Sequence, residues 1–87
     1  MTWKLTYSKQ ANKDYQKIKK NKLEKQVSTL LDILQENPFQ NPPSFEKLLG
    51  DLEGLYSRRI NIQHRLIYEV DIKTKTVYVI RMWTHYQ

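Results

Sequence analysis

The amino-acid sequence predicts an α+β domain, with two N-terminal helices packed on one face of a mainly antiparallel sheet of four to five strands. Three observations carry that prediction. Two apolar stripes at helical spacing, Ala11-Tyr15-Ile18 and Leu23-Val27-Leu30-Leu31-Leu34, follow one another in the first half of the chain. Downstream, Leu55–Ile60 and His64–Val70 are rich in β-branched and aromatic residues and flank the short turn Asn61-Ile62-Gln63, which is a hairpin signal. A further strand-like run, Thr76–Trp83, completes the sheet. The 87 residues read as one domain, spanning 1–87. A domain of this size buries about 60–65% of the surface its unfolded chain exposes, so it has one modest core.

Taken in order, Trp3–Tyr7 alternates apolar and polar residues and forms a first strand. Ser8 is placed to cap the first helix, whose outer face carries Lys9, Lys13 and Lys17. Lys19-Lys20-Asn21-Lys22 interrupts the helical pattern, with Asn21 suited to the left-handed conformation that ends a helix. The second helix stops at Asn37-Pro38, because the residue before a proline is pushed out of the α region. Asn37–Ser44, with prolines at 38, 42 and 43, is a loop without regular structure that delivers Phe45–Leu49. Gly50 and Gly54 bracket the turn into the hairpin, and Asp71–Lys75 turns into the last strand. Apolar residues on both faces of that strand place it inside the sheet. Its continuation through residues 84–87 would put Arg81 and His85 on one face.

The net charge of +6 is uneven. Eight Lys face two acids in residues 1–25, whereas seven basic and seven acidic residues balance in 26–87, where all four Arg lie. Lysines massed on one element suit docking on a polyanion, with Lys13, Lys17 and Lys20 the candidates, or else a solvated helix face. Absence of Cys excludes disulfides, thiolate chemistry and Cys-ligated zinc, and two His are too few for a typical metal site without carboxylates. Without an apolar leader or a long apolar run, the chain is expected in the cytoplasm, away from membranes.

The arginines of the hairpin raise the chemical question. Ser57 and Arg59 share one face of the first hairpin strand, and Arg65, Ile67 and Glu69 one face of the second. If those faces coincide, two guanidiniums converge, a conflict that a phosphate held by both would relieve. Arginines extended over the sheet to paired carboxylates are the alternative. RNA cleavage without a metal needs a base for the 2′-hydroxyl, an acid for the 5′-oxygen and cations for the phosphorane. Glu46, His85 and the pair Arg59 and Arg65 are residues of those types.

The run Tyr56-Ser57-Arg58-Arg59-Ile60 with His64-Arg65-Leu66-Ile67-Tyr68, preceded by Asn37-Pro38-Phe39 and Glu46-Lys47-Leu48 and followed by His85-Tyr86, resembles the Txe/YoeB family of RelE-like bacterial toxins over nearly the whole chain. The resemblance implies a RelE-like fold and a ribosome-dependent endoribonuclease that cuts mRNA in the decoding site and so inhibits translation. It assigns Glu46 as general base, Arg65 as the phosphate-stabilising arginine, His85 as general acid, Tyr86 as the adjacent C-terminal tyrosine and Arg59 as a second phosphate-binding arginine. No cofactor or metal is called for. The implied partners are a cognate antitoxin that covers the active site, the ribosomal RNA and the mRNA. The sequence leaves open a monomer, a homodimer and a toxin–antitoxin hetero-oligomer. Non-catalytic toxins of the RelE/ParE type, and basic ribosome-binding modules that act by binding alone, are the alternative. The sequence departs from the family pattern in carrying Gln87 after Tyr86 and Thr84 before His85.

Overall fold

The computed structural model describes residues 2–83. In chain order it contains β1 (Lys4–Tyr7), α1 (Lys9–Lys20), α2 (Glu24–Glu36), β2 (Glu46–Lys47), a single 3₁₀ turn at Gly50–Leu52, β3 (Leu55–Arg59), β4 (Arg65–Asp71) and β5 (Thr76–Arg81). The five strands form one sheet in the order β1-β5-β4-β3-β2. β1 runs parallel to β5, and every other pairing is antiparallel. This is the predicted class, with β5 inside the sheet.

Both helices lie on one face. Ala11 and Ile18 of α1, and Val27, Leu30 and Leu34 of α2, pack with Leu66, Tyr68, Val77 and Val79 of the central strands. Burying each large aliphatic side chain contributes about 1.5–3 kcal/mol, so this interface holds the helices to the sheet. Because side chains alternate along a strand, Arg65, Ile67 and Glu69 of β4 belong to the opposite face.

Ser8 caps α1 as expected. Its hydroxyl accepts the Ala11 amide at 2.9 Å and donates to the Ile80 carbonyl at 2.7 Å. The end of α1 differs from expectation. Asn21 keeps a negative φ of −100° and donates its side-chain amide to the Lys17 carbonyl, while Lys22 takes the left-handed conformation at φ 57°. The Asn21 side chain stops the helix by satisfying a terminal carbonyl, and that geometry passes the reversal to the next residue. Gly50 and Gly54 do occupy positive φ, at 68° and 95°.

The last strand is shorter than the sequence suggests. It ends at Arg81 because the amides of Met82 and Trp83 leave the ladder and donate to the buried carboxylate of Asp14 at 3.0 and 3.2 Å. Arg81 donates its Nε to the same carboxylate at 2.8 Å. Its guanidinium is thereby committed to α1. The alignment of Arg81 with His85 on one face lies outside the described residues, as do His85 and Tyr86 themselves.

Candidate active site

The hairpin register brings the two arginines of the prediction together. Arg59 stands directly opposite Arg65, and Ser57 opposite Ile67. On the other side of β3, the two-residue strand β2 pairs Glu46 with Ser57 and Lys47 with Tyr56. Three strands thus place Glu46, Ser57 and Arg65 next to one another.

Arg65 joins them. One nitrogen, Nη1, lies 3.1 Å from Glu46 Oε1 and 3.3 Å from Ser57 Oγ. The Arg65 side chain is only 17% exposed, whereas Glu46 is 63% exposed. A half-buried cation therefore sits beneath an accessible carboxylate. A pair with so wet a partner contributes only about 0–1 kcal/mol to stability, so its geometry is not explained by stability. Arg59 is exposed, and among the described residues no carboxylate pairs with it. One free guanidinium and one shared guanidinium on facing strands form a surface suited to an oxyanion. A groove of about 510 Å³, lined by Pro43, Arg59, Ile60 and residues of α2, reaches this edge from the helical side.

Two of the four arginines have other work. Arg58 is fully buried on the helix-facing side of β3. It donates Nε to the Tyr68 hydroxyl at 3.1 Å, Nη1 to the Pro43 carbonyl at 2.8 Å, and Nη2 to the carbonyls of Pro38 and Gln40 at 3.1 and 2.8 Å. Its guanidinium carbon lies 4.9 Å from the centre of the Phe45 ring. The Tyr68 hydroxyl in turn donates to the Pro38 carbonyl at 2.9 Å. Burial pushes the Tyr68 phenol up, partly offset by Arg58, so it remains a donor. Phe39, Phe45, Tyr56 and Tyr68 form a chain of ring contacts with centroids 5.5–5.9 Å apart along Phe39–Tyr56, Phe45–Tyr56 and Tyr56–Tyr68.

Sequence reasoning gave roles to Arg59 and Arg65 and missed that of Arg58. The signal was present in the alternation: Arg58 shares its strand face with Tyr56 and Ile60. It was present too in the proline-rich loop, whose carbonyls need donors. Asp14 was equally legible, as a carboxylate lying on the apolar stripe between Ala11 and Ile18. His64 is buried and stacks on Trp83, ring centroids 3.7 Å apart at 20°. Among the described residues, no three His, Asp or Glu side chains come together in a way that could hold a metal ion.

Lys13, Lys17 and Lys20 are all exposed on α1, opposite the buried Ala11, Asp14 and Ile18. They lie on the helical layer, across the sheet from Glu46 and Arg65, so the structure separates these two sets of predicted residues. No helix is long and apolar enough to cross a membrane among the described residues.

Comparison with known proteins agrees with this architecture. A family model described as "YoeB-like toxin of bacterial type II toxin-antitoxin system" matches residues 7–86. The Toxin YoeB of Synechocystis sp. is 33% identical over 86 residues, covering 97% of this chain and 98% of its own. A YoeB-YefM complex from Staphylococcus aureus superposes with a TM-score of 0.80 at 35% identity, covering 99% of this chain and 100% of that one. The YoeB dimer from the same organism gives a TM-score of 0.82 at the same identity and coverage.

Proposed function

The chain belongs to the YoeB-like toxins of bacterial type II toxin–antitoxin systems, and we propose that it acts as a ribosome-dependent endoribonuclease that cuts mRNA through the 2′-hydroxyl next to the cleaved bond. The observation that supports this reading most is Arg65, held 3.1 Å from an accessible Glu46 and directly across the hairpin from Arg59. A phosphate entering this corner meets two guanidiniums and a carboxylate base. Glu46 takes the proton of the 2′-hydroxyl, whose oxygen attacks phosphorus. Arg65 and Arg59 stabilise the phosphorane charge, and the P–O5′ bond breaks as His85 gives its proton to the leaving oxygen. Tyr86 lies beside that acid in sequence. The products are a 2′,3′-cyclic phosphate and a 5′-hydroxyl.

The remaining roles follow from the same reading. Lys13, Lys17 and Lys20 supply a phosphate-binding face that docks the helical layer on ribosomal RNA, with the salt dependence that counterion release imposes. The Staphylococcus aureus relative occurs in a complex with YefM and as a dimer. By the same logic this toxin is held inactive by a cognate antitoxin, as a hetero-oligomer, and its place of action is the cytoplasm.

Single-turnover cleavage on ribosomes programmed with a defined message tests the proposal. The parent protein should cut an all-ribose message and leave one with 2′-deoxyribose at the cut site intact, and Glu46→Gln should lower the rate about 10²–10⁴-fold. Cleavage of the deoxy message at the parent rate would refute the mechanism. Growth arrest undiminished in Glu46→Gln would point to poisoning by binding alone.

A further inference from the structure

We propose that Arg58 is a positioning residue for this site, a buried guanidinium that suspends residues 38–45 from β3 and thereby sets where Glu46 stands relative to Arg65. The inference rests on the reading of Glu46 as the base.

Glu46 is poorly held by its own strand. β2 has two residues and two register pairs, with Ser57 and Tyr56, and so short an edge strand specifies little by itself. The residues that lead into it have neither helix nor strand, and include Pro42 and Pro43, which offer no amide hydrogens. Their carbonyls point inward instead. Those of Pro38, Gln40 and Pro43, spread over six residues of chain, converge on the one guanidinium. Phe45, the residue before Glu46, lies against the face of the same group.

The chemistry of that group makes the role specific. A buried arginine commonly meets a carboxylate, since an unpaired buried charge is costly. Here all four hydrogen bonds go to three carbonyls and a phenol, neutral groups that a rigid planar fork can gather simultaneously. Lysine carries the same charge but is a point donor on a flexible stem and cannot reproduce the fork. Along β3, Arg58 also stands between Ser57, the register partner of Glu46, and Arg59, the register partner of Arg65. One strand segment therefore anchors the loop on its inner face and presents the anion-facing residues on its outer face. Loosening the anchor leaves Arg65 on its own strand and lets Glu46 drift from it.

The test is a double-mutant cycle in single-turnover cleavage on programmed ribosomes, using the full chain as Arg58→Lys, Glu46→Gln and both together, with ribosome affinity measured for each. A misplaced base can lose about 10²-fold. Arg58→Lys should lower the rate by about that factor without changing ribosome affinity, and should add nothing in the Glu46→Gln background. A merely structural role lowers the folded fraction in both backgrounds alike, so losses that multiply would overturn the proposal, as would an unchanged rate in Arg58→Lys. A second arm is independent of cleavage: proton–proton NOEs between the Glu46 side chain and Ser57 or Arg65 should be present in the parent and lost in Arg58→Lys. Parent NOEs without parent cleavage would count against the nuclease reading alone; NOEs intact in Arg58→Lys would count against the positioning role. Should Arg58→Lys fail to fold, Tyr68→Phe removes the hydroxyl shared by Arg58 and Pro38, and a rate loss of about 3–10-fold that vanishes in the Glu46→Gln background is expected. An additive loss there would overturn the proposal equally.

Discussion

Arg58 and Asp14 are both fully buried, each on a surface otherwise lined by apolar side chains, and each gathers backbone groups from a segment that leaves regular structure. Arg58 collects carbonyls from the loop before Glu46. Asp14 collects the amides of Met82 and Trp83 just beyond β5, together with the Nε of Arg81. The difference lies in sign. A guanidinium gathers acceptors and stays charged at every accessible pH, whereas a carboxylate gathers donors and can be protonated. Burial alone pushes the Asp14 carboxyl up, but Arg81, the Met82 amide, the Gln10 side chain and the Trp83 amide together hold it below the ordinary carboxylate value. The loop before Glu46 and the end of β5 are thus fastened by devices that acid can tell apart.

Removing the arginine fastening should have the largest effect on stability. Arg58→Met keeps an apolar stem of similar reach and leaves the carbonyls of Gln40 and Pro43 without their donor. We expect a loss of about 3–5 kcal/mol. Urea unfolding monitored by circular dichroism gives the number, and amide exchange should show residues 38–46 opening ahead of the rest. A loss below about 1 kcal/mol would mean that the loop is held by its aromatic contacts and that the comparison between the two buried ions is empty.

Next comes the carboxylate. Asp14→Asn keeps the volume and one acceptor oxygen but removes the charge that faces Arg81, whose side chain is 38% exposed and so partly rehydrates. A loss of about 2–3 kcal/mol at pH 7 is expected, reduced from the figure for a wholly buried pair by that exposure. Because the folded value lies below the unfolded one, the stabilisation from ionised Asp14 is present above the unfolded carboxyl value near 4 and disappears as pH falls through the folded value. The gap between parent and Asp14→Asn should therefore close in acid, while the gap between parent and Arg58→Met stays open. Urea midpoints from pH 7 down to about pH 3 decide this, and two gaps of constant size would break the contrast.

How much of this was legible beforehand follows from the same two residues. Helix periodicity, the hairpin and the convergence of Arg59 on Arg65 were readable, because alternation and register are local consequences of residue type. The Txe/YoeB resemblance likewise rested on short local motifs, chiefly those between Tyr56 and Tyr68. Alternation and helical spacing could have marked Arg58 and Asp14 as buried, but not their partners, which are distant in sequence: Pro38 is twenty positions from Arg58, and Trp83 sixty-nine from Asp14. The shortened last strand has the same cause. Its final amides are captured by a side chain on α1, which no strand propensity encodes.

The smallest expected effect isolates what the Asp14 side owes to neutral groups. Ser8 Oγ both accepts the Ala11 amide, as a helix cap, and donates to the Ile80 carbonyl, one residue before Arg81. As a cap alone it should lose about 1 kcal/mol on replacement by Ala and only a few tenths by Gly, since Gly is nearly as good at that position. The strand tether changes that ratio, because neither Ala nor Gly donates to Ile80. Ser8→Gly should then cost about 1 kcal/mol as well, while Ser8→Thr keeps both bonds and stays near the parent. No proton is exchanged in either bond, so the Ser8→Gly penalty should persist at low pH, where the Asp14→Asn penalty has narrowed. Chemical denaturation of the three variants at pH 7 and at about pH 3 separates the contributions. A Ser8→Gly loss of only a few tenths at both pH values would show that Ser8 merely starts the helix and that Asp14 alone fastens the end of β5.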